Sequence, residues 1–193
     1  MTLAFIGFGS NLGNGRQLVL SAWKRVCAEE KVVPLRLSSL YVSEAVDMVL
    51  SAPLFTNAVG VVETELGPSE LLHLLLRIET EHGRVRDADG TGYQDRFLDL
   101  DLLYHGDTVC LLPELILPHP HIASRLFVLA PLAEIEPCFE DPVSGRTVEE
   151  MYQQLLCRME QGEIPSQSIS RGDGQDEGCS AGPAGAARAF AGR

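Results

Sequence analysis

Two aspartates separated by a single residue sit in the stretch Leu98-Asp99-Leu100-Asp101-Leu102. In an extended strand successive side chains alternate between faces. The three leucines then point one way and both carboxylates the other, roughly 6 to 7 Å apart. At an effective dielectric near 20 their repulsion is on the order of 2 kcal/mol, and a bound cation turns it into attraction. Oxygen-only ligands whose remaining positions are filled by water suit Mg2+, and two such ions about 3.5 to 4 Å apart could be bridged by this pair. An amphipathic strand with one solvated face carries the same pattern.

Arg77, Arg84, Arg86 and Arg96 precede that strand closely, in a chain that is otherwise acidic. Guanidinium groups bind phosphate oxygens in bidentate fashion, so arginines beside paired carboxylates suit a phosphate-and-metal site. Surface ion pairs with Glu79, Glu81, Asp87 and Asp89 are the competing reading. His119 lies between Pro118 and Pro120, with Arg125 six residues on. Flanking prolines stiffen the backbone and aim an imidazole at little entropic cost, which suits a phosphate donor and an ordinary turn alike. Phe55 and Asn57 share one face of a strand, where an aromatic plate beside an amide could stack on and hydrogen-bond a flat heterocycle; a core Phe and a capped Asn fit equally. Gly7-Phe8-Gly9-Ser10-Asn11-Leu12-Gly13 is GxGxxxG, one residue off the dinucleotide fingerprint and without the Lys-Ser/Thr of a P-loop. There is no GxSxG, and no Ser-His-Asp or Cys-His grouping has supporting context.

The elements that must position these residues can be read from periodicity. Residues 3 to 8 form a buried strand, a loop follows through Gly15, and Leu18, Val19, Ala22, Trp23, Val26 and Cys27 give a helix with Asn14 as N-cap. Val32 to Ser43 and Leu54 to Glu63 read as a long antiparallel pair. Gly67-Pro68-Ser69-Glu70 opens a helix that ends at Gly83, and 84–97 is an exposed loop. Leu98 to Tyr104 and Thr108 to Leu112 suggest a hairpin about Gly106-Asp107. Phe127 to Ile135 has helical spacing, and Thr147-Val148-Glu149-Glu150 is a capping box for a last helix. This order predicts an α+β, ferredoxin-like sandwich with an antiparallel central sheet and an added hairpin, rather than a doubly wound sheet.

At 193 residues the chain suits one compact domain, here 1–160, and 45% hydrophobic residues suffice for a core. From 161 to 193 the composition turns to Gly, Ala, Ser, Pro and Gln, which predicts a disordered tail. A net charge of -12 repels nucleic acid and anionic membranes, and no apolar run is long enough to span a bilayer. Five cysteines without a CxxC pair argue for a soluble protein of reducing cytoplasm.

Six strings stand in an order that resembles the 6-hydroxymethyl-7,8-dihydropterin pyrophosphokinase family. They are Gly9-Ser10-Asn11-Leu12-Gly13, Phe55-Thr56-Asn57-Ala58-Val59, Ile78-Glu79 with Gly83-Arg84-Val85-Arg86, Arg96-Phe97-Leu98-Asp99-Leu100-Asp101, Pro118-His119-Pro120 and Arg125-Leu126-Phe127-Val128-Leu129. The resemblance covers residues 3 to about 156. It implies transfer of pyrophosphate from ATP to the hydroxymethyl group of a reduced pterin, with release of AMP, by a monomer acting on small molecules in folate biosynthesis. Carried over by position, Asp99 and Asp101 hold two Mg2+ ions. Arg84 and Arg96 close over the phosphates, and Glu79, Arg86, His119 and Arg125 complete the ATP site. Asn57 reads the pterin edge while Phe55 and Phe127 sandwich its ring.

This chain also departs from the family pattern. Tyr41 is followed by Val-Ser-Glu-Ala-Val-Asp-Met-Val-Leu50 in place of a Pro-Gly-containing stretch. Tyr93-Gln94-Asp95-Arg96 stands for Trp-Gly-Pro-Arg, which puts Tyr93 in the gate position, and Leu76 stands for a Gln.

Overall fold

The computed structural model describes residues 1–44, 54–83 and 98–172. Arg84, Arg86, Tyr93 and Arg96, and the unusual stretch 45–53, lie outside the described residues.

Strand β1 (Thr2–Ser10) runs through the middle of the sheet. It is antiparallel to β4 (Phe55–Thr64) on one side and to β5 (Asp99–His105) on the other. The expected long pair forms, with its first arm in two pieces: β2 (Val32–Leu37) and β3 (Tyr41–Ser43) both pair with β4. A short strand β8 (Ile169–Arg171) extends the far edge, giving the order β5-β1-β4-β3-β8 with β2 also on β4.

Helices α1 (Gly15–Cys27) and α2 (Pro68–Glu81) cover one face. Asn14 caps α1 by accepting from Gln17 N at 3.1 Å, and Gly67 N is held by Glu70 Oε2 at 2.8 Å ahead of Pro68. Val19, Ala22, Leu71, Leu75 and Ile78 pack onto Ile6, Phe8, Leu100 and Leu102. At Gly60 a Cβ would fall 2.5 Å from the Trp23 ring, so only glycine lets α1 approach there.

On the opposite face lie α3 (Leu126–Ile135) and α4 (Val148–Glu160), the latter opened by the anticipated box, with Glu150 N donating to Thr147 Oγ1 at 3.2 Å. Phe5, Val59, Val61, Tyr104, Leu129, Leu132 and Leu155 form this second core. None of the described helices is long and apolar enough to cross a membrane.

One expectation fails. The strand at 98–104 does not pair with 108–112. After β5 the chain turns at Gly106 (φ 55°), and β6 (Cys110–Leu112) pairs instead with β7 (Leu115–Leu117) in a separate two-stranded sheet. The outer edge of β5 is already engaged, because Leu100 N donates to Glu79 Oε1 of α2 at 2.8 Å. Of the tail expected over 161–193, residues 173–193 lie outside the described residues, but 161–172 are described. Residues 161–172 are part of the fold: Ile164 and Ile169 pack on the second core, and β8 satisfies the otherwise open edge of β3.

Candidate functional site

The carboxylates sit at the end of the sheet that α3 and α4 leave open. Asp99 and Asp101 are half-buried and alternate with buried Leu98, Leu100 and Leu102, so both project from one face as the alternation requires. Opposite them in β1 stand Gly9 and Gly7, and on the far side of Gly9 stands Asn57 of β4. A Cβ on Gly9 would lie 3.9 Å from Asp99 Cβ and 3.6 Å from Asn57 Oδ1; one on Gly7 would lie 3.7 Å from Asp101 Cβ. Gly9 thus leaves a bare floor between Asp99 and the amide, while at Gly7 the Leu103 side chain closes in, 3.5 Å from where a Cβ would stand. The role of Gly9 escaped the sequence reading, which treated Gly7 and Gly9 as pieces of a loop motif. Glycines at i and i+2 of a strand place two missing side chains on one face, which is the signal that could have found them.

Asn57 is 4% exposed, and its Nδ2 donates to Ser43 Oγ at 3.0 Å across the β3–β4 pair. That bond leaves Oδ1 on the side of Gly9. Ser43 was likewise missed, since its neighbour is 14 residues away in sequence. Phe55 is half-buried at the start of β4, two residues from Asn57 and on the same face. Phe127 is half-buried in the first turn of α3, which packs against β3 and β4, and the Arg125 guanidinium stands 5.6 Å from the Phe127 ring centre.

A cleft of about 330 Å³ opens on the other side of the aspartates. It is lined by Asp99, Asp101, Glu79, Leu72, Leu76 and His119, with the β6–β7 turn as its rim. Leu76 is on this wall. Glu79 is 1% exposed, and its bond to Leu100 N ties α2 to the residue between the two aspartates. Arg77 belongs elsewhere: it pairs with Glu29 of α1 at 3.1 Å, as the ion-pair reading of the arginines anticipated in kind but not in partner.

His119 is fixed through its backbone, whose N–H donates to Leu103 O of β5 at 2.9 Å. Its Nδ1 accepts from His121 N at 3.3 Å, which leaves the ring proton on Nε2. Burial, with the nearby charges of Arg125 and His121, lowers its pKa to about 4 despite an opposing pull from Asp99. The imidazole is therefore neutral at physiological pH, an N–H donor without charge.

Among the described residues there is no group of three or more His, Cys, Asp or Glu side chains placed to hold a metal. Two carboxylates on one open face are a different kind of site. A hard cation held there keeps most of its positions for water and for the oxygens of a bound phosphate, which is how Mg2+ is ordinarily held beside nucleotides. The donor set fits such an ion.

The family model for 7,8-dihydro-6-hydroxymethylpterin-pyrophosphokinase (HPPK) matches residues 5–137. The chain belongs to this family. The HPPK match runs from β1 to just beyond α3 and so contains every described site residue. The 2-amino-4-hydroxy-6-hydroxymethyldihydropteridine pyrophosphokinase of Pseudomonas aeruginosa is 39% identical over 150 residues, 76% of this chain and 88% of that one. The protein of the same name from Synechocystis is 36% identical over 154 residues, 80% of this chain and 76% of that one. Among solved structures, the Plasmodium falciparum HPPK-DHPS protein with pteroate shares the fold, with a TM-score of 0.65 at 16% identity over 84% of this chain. This chain spans 44% of that larger HPPK-DHPS chain.

Proposed function

We propose that this HPPK family member transfers pyrophosphate from ATP to the hydroxymethyl group of 6-hydroxymethyl-7,8-dihydropterin and releases AMP, a step of folate biosynthesis. The observation that carries the reading is the continuity of one sheet face from Asp99 and Asp101, across Gly9, to Asn57. It sets a cation-binding pair beside a hydrogen-bonding amide with open floor between them.

In the reaction the pterin hydroxyl oxygen attacks the β-phosphorus of ATP. The bond from that phosphorus to the α,β-bridging oxygen breaks, AMP departs with that oxygen, and the hydroxyl proton passes to solvent. Asp99 and Asp101 would hold two Mg2+ ions, which would supply charge neutralisation for the triphosphate when bound. Asn57 offers Oδ1 to the amide edge of the pterin, and Phe55 and Phe127 hold its ring. His119 donates Nε2–H to a phosphate oxygen, and Arg125 adds charge on the same side. Arg84, Arg86 and Arg96 complete the phosphate contacts, with Tyr93 at the gate. Glu79 acts on ATP binding by keeping β5 against α2 beneath the cleft. Positioning and electrostatics supply the rate, so no strong general base is required.

We read the sheet order, with β2 and β3 as one interrupted strand, as ferredoxin-like. The protein acts as a cytoplasmic monomer. Incubation with ATP, Mg2+ and the reduced pterin, followed by chromatography, tests the function: AMP supports it, ADP indicates a simple kinase, and neither product indicates a non-catalytic binder of nucleotide or pterin.

A further inference from the structure

Arg125 is the N-cap of α3 and Phe127 stands in its first turn, yet the cap supplies no side-chain hydrogen bond. Helix starts leave backbone N–H groups without intrahelical partners, and here the missing acceptor comes from far along the chain. Gln167 Oε1 accepts from Leu126 N at 2.9 Å, and Gln167 Nε2 donates to Ser124 O at 2.8 Å. One amide therefore grips the backbone on both sides of Arg125. Gln167 is itself held from two directions. Its backbone N–H donates to Met159 Sδ of α4 at 3.4 Å, and two residues on the chain joins β3 as β8, with Gly172 N donating to Leu40 O at 2.8 Å.

We propose that Gln167 is a positioning residue for the substrate site, and that residues 161–172 serve as a brace that sets Arg125 and Phe127. The inference rests on the assignment of those two residues to substrate binding. Gln167 touches no reacting atom, and its effect passes through the peptide units at 124 and 126. Without the clamp the first turn of α3 frays, Arg125 and Phe127 sample other positions, and binding weakens while the bound complex still reacts.

Steady-state kinetics with ATP and the reduced pterin, on the full chain, test this with two variants. Gln167→Met keeps the length and loses both bonds; it raises the KM of ATP and of the pterin about tenfold, with kcat within about twofold. Gln167→Glu keeps the acceptor for Leu126 N and recovers most of the loss. Amide exchange at Leu126, measured without substrates, accelerates in the Met variant and returns toward wild type in the Glu variant. Faster exchange with unchanged KM values overturns the proposal, as does a parallel fall of kcat and melting temperature without a KM effect. Arg125→Ala and Phe127→Ala run alongside. If they too leave both KM values unchanged, the site assignment has failed; if they raise KM and Gln167→Met does not, only the brace has failed.

Discussion

Ser43 accepts the Asn57 side-chain N–H at 3.0 Å, and this bond decides which end of the buried amide faces the glycine floor. Were the amide free to turn over, it would present a donor where the proposed pterin contact takes an acceptor. Ser43→Ala removes the constraint at the cost of one buried hydrogen bond, about 1 kcal/mol. The expected outcome is a rise of about fivefold in the KM of the pterin with the KM of ATP unchanged, measured by AMP release. Equal effects on both substrates would remove Asn57 from pterin recognition.

Asp99→Asn and Asp101→Asn each remove most turnover and leave the fold intact, because both side chains stand half-buried on the open face while the leucines between them fill the core. Melting temperature by calorimetry, with AMP formation across a Mg2+ titration, separates the two effects. Near-normal AMP production by both variants would refute the cation assignment.

Gly9→Val puts a branched side chain on the floor between Asp99 and Asn57. A strand interior favours valine over glycine, so stability holds or rises while pterin affinity falls at least tenfold. Calorimetric titration with the oxidised 6-hydroxymethylpterin reads the affinity directly. Unimpaired binding would show that the ligand does not lie over β1.

The pKa of His119, lowered to about 4 from 6.5, makes a prediction about acid stability. Between these values the unfolded chain binds the proton and the folded one does not, so stability rises with pH from 4 to 6.5 and this contribution is constant above. In His119→Asn that slope flattens. Melting temperature followed from pH 4 to 8 in both proteins checks the sign; a slope unchanged by the substitution would show that the folded imidazole titrates normally.

A chain ended after Glu160 loses β8, the Gln167 clamp and the packing of Ile164 and Ile169, and its melting temperature falls by about 5 to 10 °C. One ended after Gly172 keeps every contact described above, so the difference between the two isolates the brace. Equal melting temperatures would mean that β8 adds nothing to stability.

Sequence alone carried the local facts. The Leu-Asp-Leu-Asp-Leu alternation placed both carboxylates on one face because strand geometry has period two. Asn14 and Thr147 marked helix starts because capping is settled within four residues, and the paired arms of β2–β3 and β4 followed from their β-branched runs. The partners of each edge were not legible, because edges are filled by whatever the folded chain brings to them. Glu79 reaches Leu100 across 21 residues and so displaces the anticipated hairpin, while Gln167 reaches Leu126 across 41. Two isoleucines and a strand edge hold residues 161–172 in the fold despite their polar composition. The floor of the site is likewise tertiary: Gly9 acquires meaning only when pairing sets Asp99 on one side and Asn57 on the other.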